Sequence, residues 1–263
     1  MKMENKKTNQ KKEKSLFTPV KASMNKRAGA YFIDIILYLV LVTGVLYIMS
    51  FIVGYHENFD LLEQKYIEHG VYVLKNGVYE LCLESDPECL AASNRFYEDP
   101  KAVYYLTRAT ELSVLMITLS TFVTSLIYEF IVPLFLKNGQ TIGMKIMRVG
   151  LIDNEGVKVT PIQIFIRFLF GKYIICMLIP IYGFIYMGFN VGGGLLGLIV
   201  LVSVPIINLI MTYGTQTKSG IANSIAKVYA IDLDDTYIFK NKEERSRALA
   251  EQDRLKEEMK KTY

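Results

Sequence analysis

The stretch AGAYFIDIILYLVLVTGVLYIMSFIV, residues 28–53, decides how this chain must fold. Asp34 is its one charged side chain; nearly everything else in it is apolar. Three further apolar runs follow, at about residues 112–136, 162–187 and 193–213. A bilayer core about 30 Å thick takes roughly 20 such residues as a helix, because lipid offers no partner to a backbone amide. The expected fold class is therefore an α-helical integral membrane protein, a four-helix transmembrane bundle embedded in the lipid bilayer.

Charge orients it. Residues 1–27 carry eight Lys and Arg27 against two Glu, whereas residues 54–110 carry ten acidic and five basic side chains. Lysine and arginine beside the first span hold that flank in the cytoplasm. A multi-pass protein of the cell membrane follows, with both termini cytoplasmic. Its expected parts are a basic tail over 1–27, an extracytoplasmic cap over 54–111, a cytoplasmic strand loop over 137–161, and a strand with a charged helical tail over 214–263. The first run is too long for a signal-peptide core and reads as a retained helix. The lysine-rich start reads as a solvated topogenic tail. Its basic residues lack the aromatic interleaving of a nucleic-acid surface, so nucleic acid is not an expected partner.

The cap reads as a small α+β unit. Asn58–Glu68 has helical spacing, with Phe59, Leu62 and Tyr66 on one face. Val71–Leu74 and Val78–Leu81 flank Lys75-Asn76-Gly77, a hairpin-turn sequence. Ala91–Arg108 reads as a helix returning to the second span. Cys82 and Cys89 bracket a turn at Ser85, Asp86 and Pro87. In an oxidising compartment a disulfide between them is expected, the alternative being two free thiols. Cys176, inside the third span, reads as a small hydrophobe. On the inner side Met144–Ile152 and Val157–Val159 read as short strands around a turn at Asp153-Asn154-Glu155-Gly156. Lys227–Leu233 reads as a further strand, and Lys242–Lys261 as a solvated helix.

Four charged side chains fall within the spans: Asp34, Glu129, Arg167 and Lys172. An unpaired charge at mid-membrane costs ~2.5–3.5 kcal/mol or more, so each is a functional candidate. At ~1.5 Å rise per residue, Asp34, Glu129 and Arg167 lie within roughly 8–10 Å of the cytoplasmic interface, with Lys172 about a turn deeper. Two acids and two bases at similar depth suggest mutual pairing, in a structural or a transport-linked role. Arg27 and Asp34, seven residues apart, share one helix face. Pro133, Pro180 and Pro205 are candidate kinks.

The order of these residues resembles that of the RDD family of bacterial membrane proteins, named for an arginine and two aspartates. Arg27-Ala28-Gly29-Ala30-Tyr31-Phe32-Ile33-Asp34 matches its opening pattern. Thr141-Ile142-Gly143-Met144-Lys145, followed by Val149, Asp153 and Gly156, resembles its cytoplasmic strand-and-turn segment. Arg167 stands where the family often has an arginine opening the next helix. The late His-Asp of the family is replaced here by Ala222-Asn223, and an amide cannot hold a charge. The resemblance implies transport, including sodium–proton exchange, as a suggested role.

Nothing in the sequence points to an enzyme. His56 and His69 have no HExxH spacing, and no P-loop, GxSxG or GxGxxG is present. No cofactor and no metal is expected; Asp232, Asp234 and Asp235 read as a solvated acidic turn. Two functions remain open. One is a small-ion or proton-coupled transporter using Asp34 and Glu129, with Arg167 as counter-charge. The other is a non-transporting scaffold or accessory subunit, a homo-oligomer or bound to a membrane partner through its cap or tail.

Overall fold

The computed structural model describes residues 19–75, 78–82, 87–179, 181–182, 194–214 and 219–261. Residues 1–18, Asn76-Gly77, Ser85-Asp86, Pro180, the end of the third apolar run and the glycine-rich turn before Gly194 lie outside them. The fold is mostly helical. Three helices are long and apolar enough to cross a membrane: α1 (Met24–Ile52), α4 (Pro100–Phe135) and α6 (Pro161–Leu178). The fourth run forms α7 (Gly194–Gly214), within which Gly197–Thr212 is a shorter apolar helix. At 1.5 Å per residue α1 is about 43 Å long, more than a bilayer core requires. It leaves Phe32, Val40 and Ile52 about two-thirds exposed, the surface expected of a helix against lipid.

Two long helices depart from α geometry. α4 is α-helical to Ser125, π-helical over Leu126–Ile131, and α-helical again over Val132–Phe135. α6 is α-helical over Pro161–Ile166 and π-helical over Arg167–Leu178. The depth estimates above assumed regular α-helix. The π turns, in which each amide reaches back five residues, widen the helix where Glu129, Arg167 and Lys172 stand.

The chain divides into two compact units, Leu41–Val123 and the remainder. In the first, α2 (Tyr55–Glu68), a hairpin of β1 (Tyr72–Lys75) and β2 (Val78–Leu81), and α3 (Pro87–Glu98) precede α4. Leu62, Phe96 and Ala102 are buried together, and Tyr66 stacks on Phe96 at 4.7 Å. Phe59 is not in this core; it is partly exposed and stacks on Tyr55. The single helix expected over Ala91–Arg108 is broken at Asp99. Pro100 has no N–H and disfavours helical backbone in the residue before it. Asp99 then starts α4 by accepting the Lys101 amide at 2.8 Å, and also accepts His69 Nε2 and Lys65 Nζ. Cys82 and Cys89 form a disulfide across a Cα separation of 5.4 Å, joining the end of β2 to α3.

In the second unit, Thr141 caps the short helix α5 (Ile142–Ile146), accepting the Met144 amide at 3.3 Å. The strand expected over Met144–Ile152 is therefore shorter, because this cap commits its first residues to helix. β3 (Val149–Asp153) begins only after Arg148 turns the chain through φ 55°. α8 (Ile221–Ile225), a left-handed Lys227 and β4 (Val228–Asp232) repeat that order after α7. β3 and β4 pair antiparallel with Leu151 opposite Ala230. Val157 and Lys158 contribute isolated bridges to Phe239 and Ile152. The charged helix α9 (Lys242–Lys261) closes the described chain.

Two outcomes follow for the unit Leu41–Val123. Cys82→Ser with Cys89→Ser removes a staple of the kind that contributes ~2 kcal/mol or more, so limited proteolysis should cut between β2 and α3 sooner than in the parent. The His69 and Lys101 hydrogen bonds, opposed by slight desolvation, hold the Asp99 carboxyl well below the usual carboxylate range. A depressed pKa gives stability that is complete above the unfolded value, about 3.9, and is lost as pH falls below it. Unfolding of this unit followed between pH 5 and 2 should show that acid loss, and Asp99→Asn should flatten it.

Candidate functional site

The sequence motifs converge on Asp34. Its Oδ1 accepts the Tyr128 hydroxyl and the Gly143 amide, each at 2.7 Å, and its Oδ2 accepts the Thr141 hydroxyl at 2.6 Å. Three elements meet there: α1 brings the acid, α4 the phenol, and the entry to α5 the hydroxyl and the amide. Gly143 must be glycine. A Cβ on it would stand 2.2 Å from the Ala30 carbonyl oxygen and 2.7 Å from Asp34 Oδ1. The spacing of Thr141 and Gly143 is thus the spacing that lets a capping hydroxyl and a first-turn amide grip one carboxylate.

The mutual pairing expected among four charges divides differently. The donors to Asp34 are all neutral. Both bases go to Glu129, whose Oε1 takes Lys172 Nζ at 3.1 Å and whose Oε2 takes Arg167 Nη1 at 3.5 Å. Glu129 and Arg167 are buried, and Lys172 is about a quarter exposed with its ammonium 5.9 Å from the Tyr31 ring centroid. The reason is geometric. The π turns of α4 and α6 put Glu129 opposite Arg167 and Lys172, which stand five residues apart on α6.

Arg167 makes a second bond, from Nε to the Asn223 side-chain oxygen at 2.9 Å. Asn223 therefore accepts from the guanidinium as a carboxylate would, without a charge. Gly171 sets the close approach behind this contact: a Cβ there would be 2.3 Å from Ala222 Cα. Arg27 lies half-buried in the first turn of α1, its amide bonded to Ser23 O at 3.1 Å. Pro133 is buried within α4, and Pro205 lies inside α7.

Tyr128 and the joint grip of Thr141 and Gly143 on Asp34 were not assigned from sequence. Tyr128 sat unnoticed beside Glu129. It is only 3% exposed, and its ring meets Tyr38 edge-on at 6.3 Å, while Tyr38 bonds the Ser125 hydroxyl at 3.0 Å. Beyond β4, Asp234 is held below its ordinary range by Lys26 of the first turn of α1 and then by Arg148, each by a direct bond. Among the described residues no group of three or more His, Cys, Asp or Glu is placed to hold a metal ion.

Glu129→Gln leaves two cations facing a neutral amide in a buried place. It should cost about 3–5 kcal/mol in unfolding free energy measured in detergent, and adding Lys172→Met should return part of that loss. Gly143→Ala should cost on the order of 1–3 kcal/mol through overpacking against the Ala30 carbonyl, in the same measurement.

No curated protein and no solved structure matches the chain. The model of the RDD family matches residues 21–204, which hold Arg27, Asp34, Glu129, Thr141, Gly143, Arg167 and Lys172. Asn223 lies beyond the matched stretch. With its opening Arg27–Asp34 pattern bound to the Thr141–Gly143 segment, the chain belongs to the RDD family.

Proposed function

We propose that this is a four-span protein of the cell membrane, with both termini cytoplasmic, that moves a proton or a small cation using Asp34. The observation that supports this is the set of neutral donors around that carboxylate. Glu129 faces two cations within 3.5 Å, so its charge is already matched. Asp34 has no such neutralisation from the groups bonded to it. Two of its partners, Tyr128 and Thr141, are hydroxyls that accept as well as donate. When a cation or proton arrives, each can rotate its hydrogen away and offer an oxygen. The third partner, the Gly143 amide, is a fixed donor that keeps the carboxylate aimed.

In this reading Arg167 and Lys172 are counter-charges that hold Glu129, and Asn223 anchors Arg167 without titrating. Intramembrane acids at helix junctions are the groups through which transporters couple ions to motion. The scaffold alternative draws on α9. Lys242 and Arg245 dock its first turn on Glu155, and the helix beyond carries an exposed Leu255 among charges.

The test is flux in proteoliposomes under cation and pH gradients. Asp34→Asn should abolish flux while the protein still inserts and keeps its thermal unfolding midpoint within a few degrees of the parent. A folded Asp34→Asn chain with full flux sinks the assignment, and a parent without flux for any alkali cation or proton favours the scaffold. Topology is checked separately: a cysteine placed near Asn76 should label from outside, and one placed near Asn154 should not.

A further inference from the structure

Two stretches of the second unit match each other element by element. α5 starts at Ile142 and α8 at Ile221, and each helix has five residues. Arg148 and Lys227 both take left-handed backbone, φ 55° and 54°, immediately before β3 and β4. The strands read VGLID and VYAID. Every one of these pairs is separated by 79 residues. A non-glycine residue at positive φ is uncommon, and two basic ones at matched positions strengthen the correspondence.

The segments before α1 and α6 match in the same way, at a separation of 137 residues. Lys21 bridges Ile231 of β4, and Lys158 bridges Ile152 of β3. The Asp232 amide donates to Val20 O at 2.9 Å, and the Asp153 amide to Val157 O at 3.0 Å. Ser23 accepts the Lys26 amide ahead of α1, and Thr160 the Gln163 amide ahead of α6. The helices then start at Met24 and Pro161. From 79 to 137 the separations differ by 58 residues, the length of segment 54–111.

We infer that the membrane unit is one module present twice, each copy an edge strand, two long helices, a short helix and a five-residue strand, paired about an approximate two-fold axis between Leu151 and Ala230. The register carries the symmetry. β3 and β4 are antiparallel, and the residues opposed at their centre are equivalent ones. The contact is isologous, the same patch of each module meeting its counterpart. The buried cluster contains both members of three such pairs: Ala22 and Val159, Val149 and Val228, Leu151 and Ala230. The surface formed by β3 and its edge strand thus fits a second copy of the module, and the chain supplies that copy itself. The segment 54–111 is an insertion in the first copy.

The same correspondence locates what breaks the symmetry. Asp34 is equivalent to Gly171, and Gly143 to Ala222; each pair meets at the same junction, one through a carboxylate and one through bare backbone. Arg167 and Asn223, bonded to each other, are equivalent to Ala30 and Met144, both in the buried apolar cluster. Each module therefore has its polar site where the other is apolar. This inference does not depend on transport.

The axis pair gives a test in the full-length chain. Leu151→Ala opens a cavity and Ala230→Leu overfills one, so each should lower the thermal unfolding midpoint in detergent, read by tyrosine fluorescence. If the two positions are equivalent, Leu151→Ala with Ala230→Leu exchanges identical places and should recover more than half of the summed loss. A double variant that recovers less overturns the inference, as do single variants that leave the midpoint unmoved. If the exchange chain does not purify folded, Leu151→Val with Ala230→Val makes the axis pair identical. That chain should unfold nearer to the parent than either single exchange does, and a lower midpoint overturns the two-fold relation.

Discussion

A carboxylate that draws one hydrogen bond from each of three donors ties α1, α4 and the entry to α5 together. Asp34 lies on α1, Tyr128 on α4, and Thr141 and Gly143 at the entry to α5. Asp34 is half-buried, and a carboxylate drawn out of water is expensive unless its lone pairs are occupied, so the three donors and the acid impose geometry on one another. Thr141 must cap α5 to present its hydroxyl, and Gly143 must lack a side chain for α1 to come close. Met147 and Arg148 then turn the chain into β3. The acid thus ties this helix, cap and short helix to one another, while the same order after α7 forms with Gly171 in the equivalent place.

The second acid works differently. Glu129 is neutralised by two cations in a place that excludes water, where Coulomb attraction is strong and desolvation is costly to all three groups. Such a cluster resists change in charge, because loss of any member leaves an uncompensated ion. Asp34 is held instead by two neutral hydroxyls and a backbone amide. The proposed function rests on this contrast in partners.

Much of this was legible in the residues, for identifiable reasons. Apolar runs, the strand pattern around Asn-Gly and the cysteine spacing report strong local physics, and they located the long helices, the hairpin and the disulfide. Sequence did not reveal which acid meets which base. That choice is made by π turns at Leu126–Ile131 and Arg167–Leu178, which no periodicity in the sequence announces. Thr141 and Gly143 were visible as a motif, yet their common target lies more than a hundred residues away. The strand expected over Met144–Ile152 lost its first half to a helix because one capping hydroxyl outweighed the β-branched and apolar pattern. The break at Asp99 was readable from Pro100 and was overridden by the helical periodicity on either side.

The two modules clarify why the polar contacts take the partners they do. The Asp34 grip lies wholly within the first module, and the Arg167–Asn223 bond wholly within the second. The Glu129 cluster crosses between them, with the acid from α4 of the first module and both bases from α6 of the second. The modules are thus joined at two levels: by the β3–β4 pair with its flanking edge strands at one end, and by the ion cluster among the long helices. An ion pair is suited to the second place. It fixes the pairing of two otherwise similar apolar helices, because two copies of the first module would set Glu129 against Ala30 and Ile35, and two copies of the second would set Arg167 and Lys172 against Asn208, leaving charges unmatched. Asp34, bonded to two hydroxyls and an amide, lies off that seam, inside the first module.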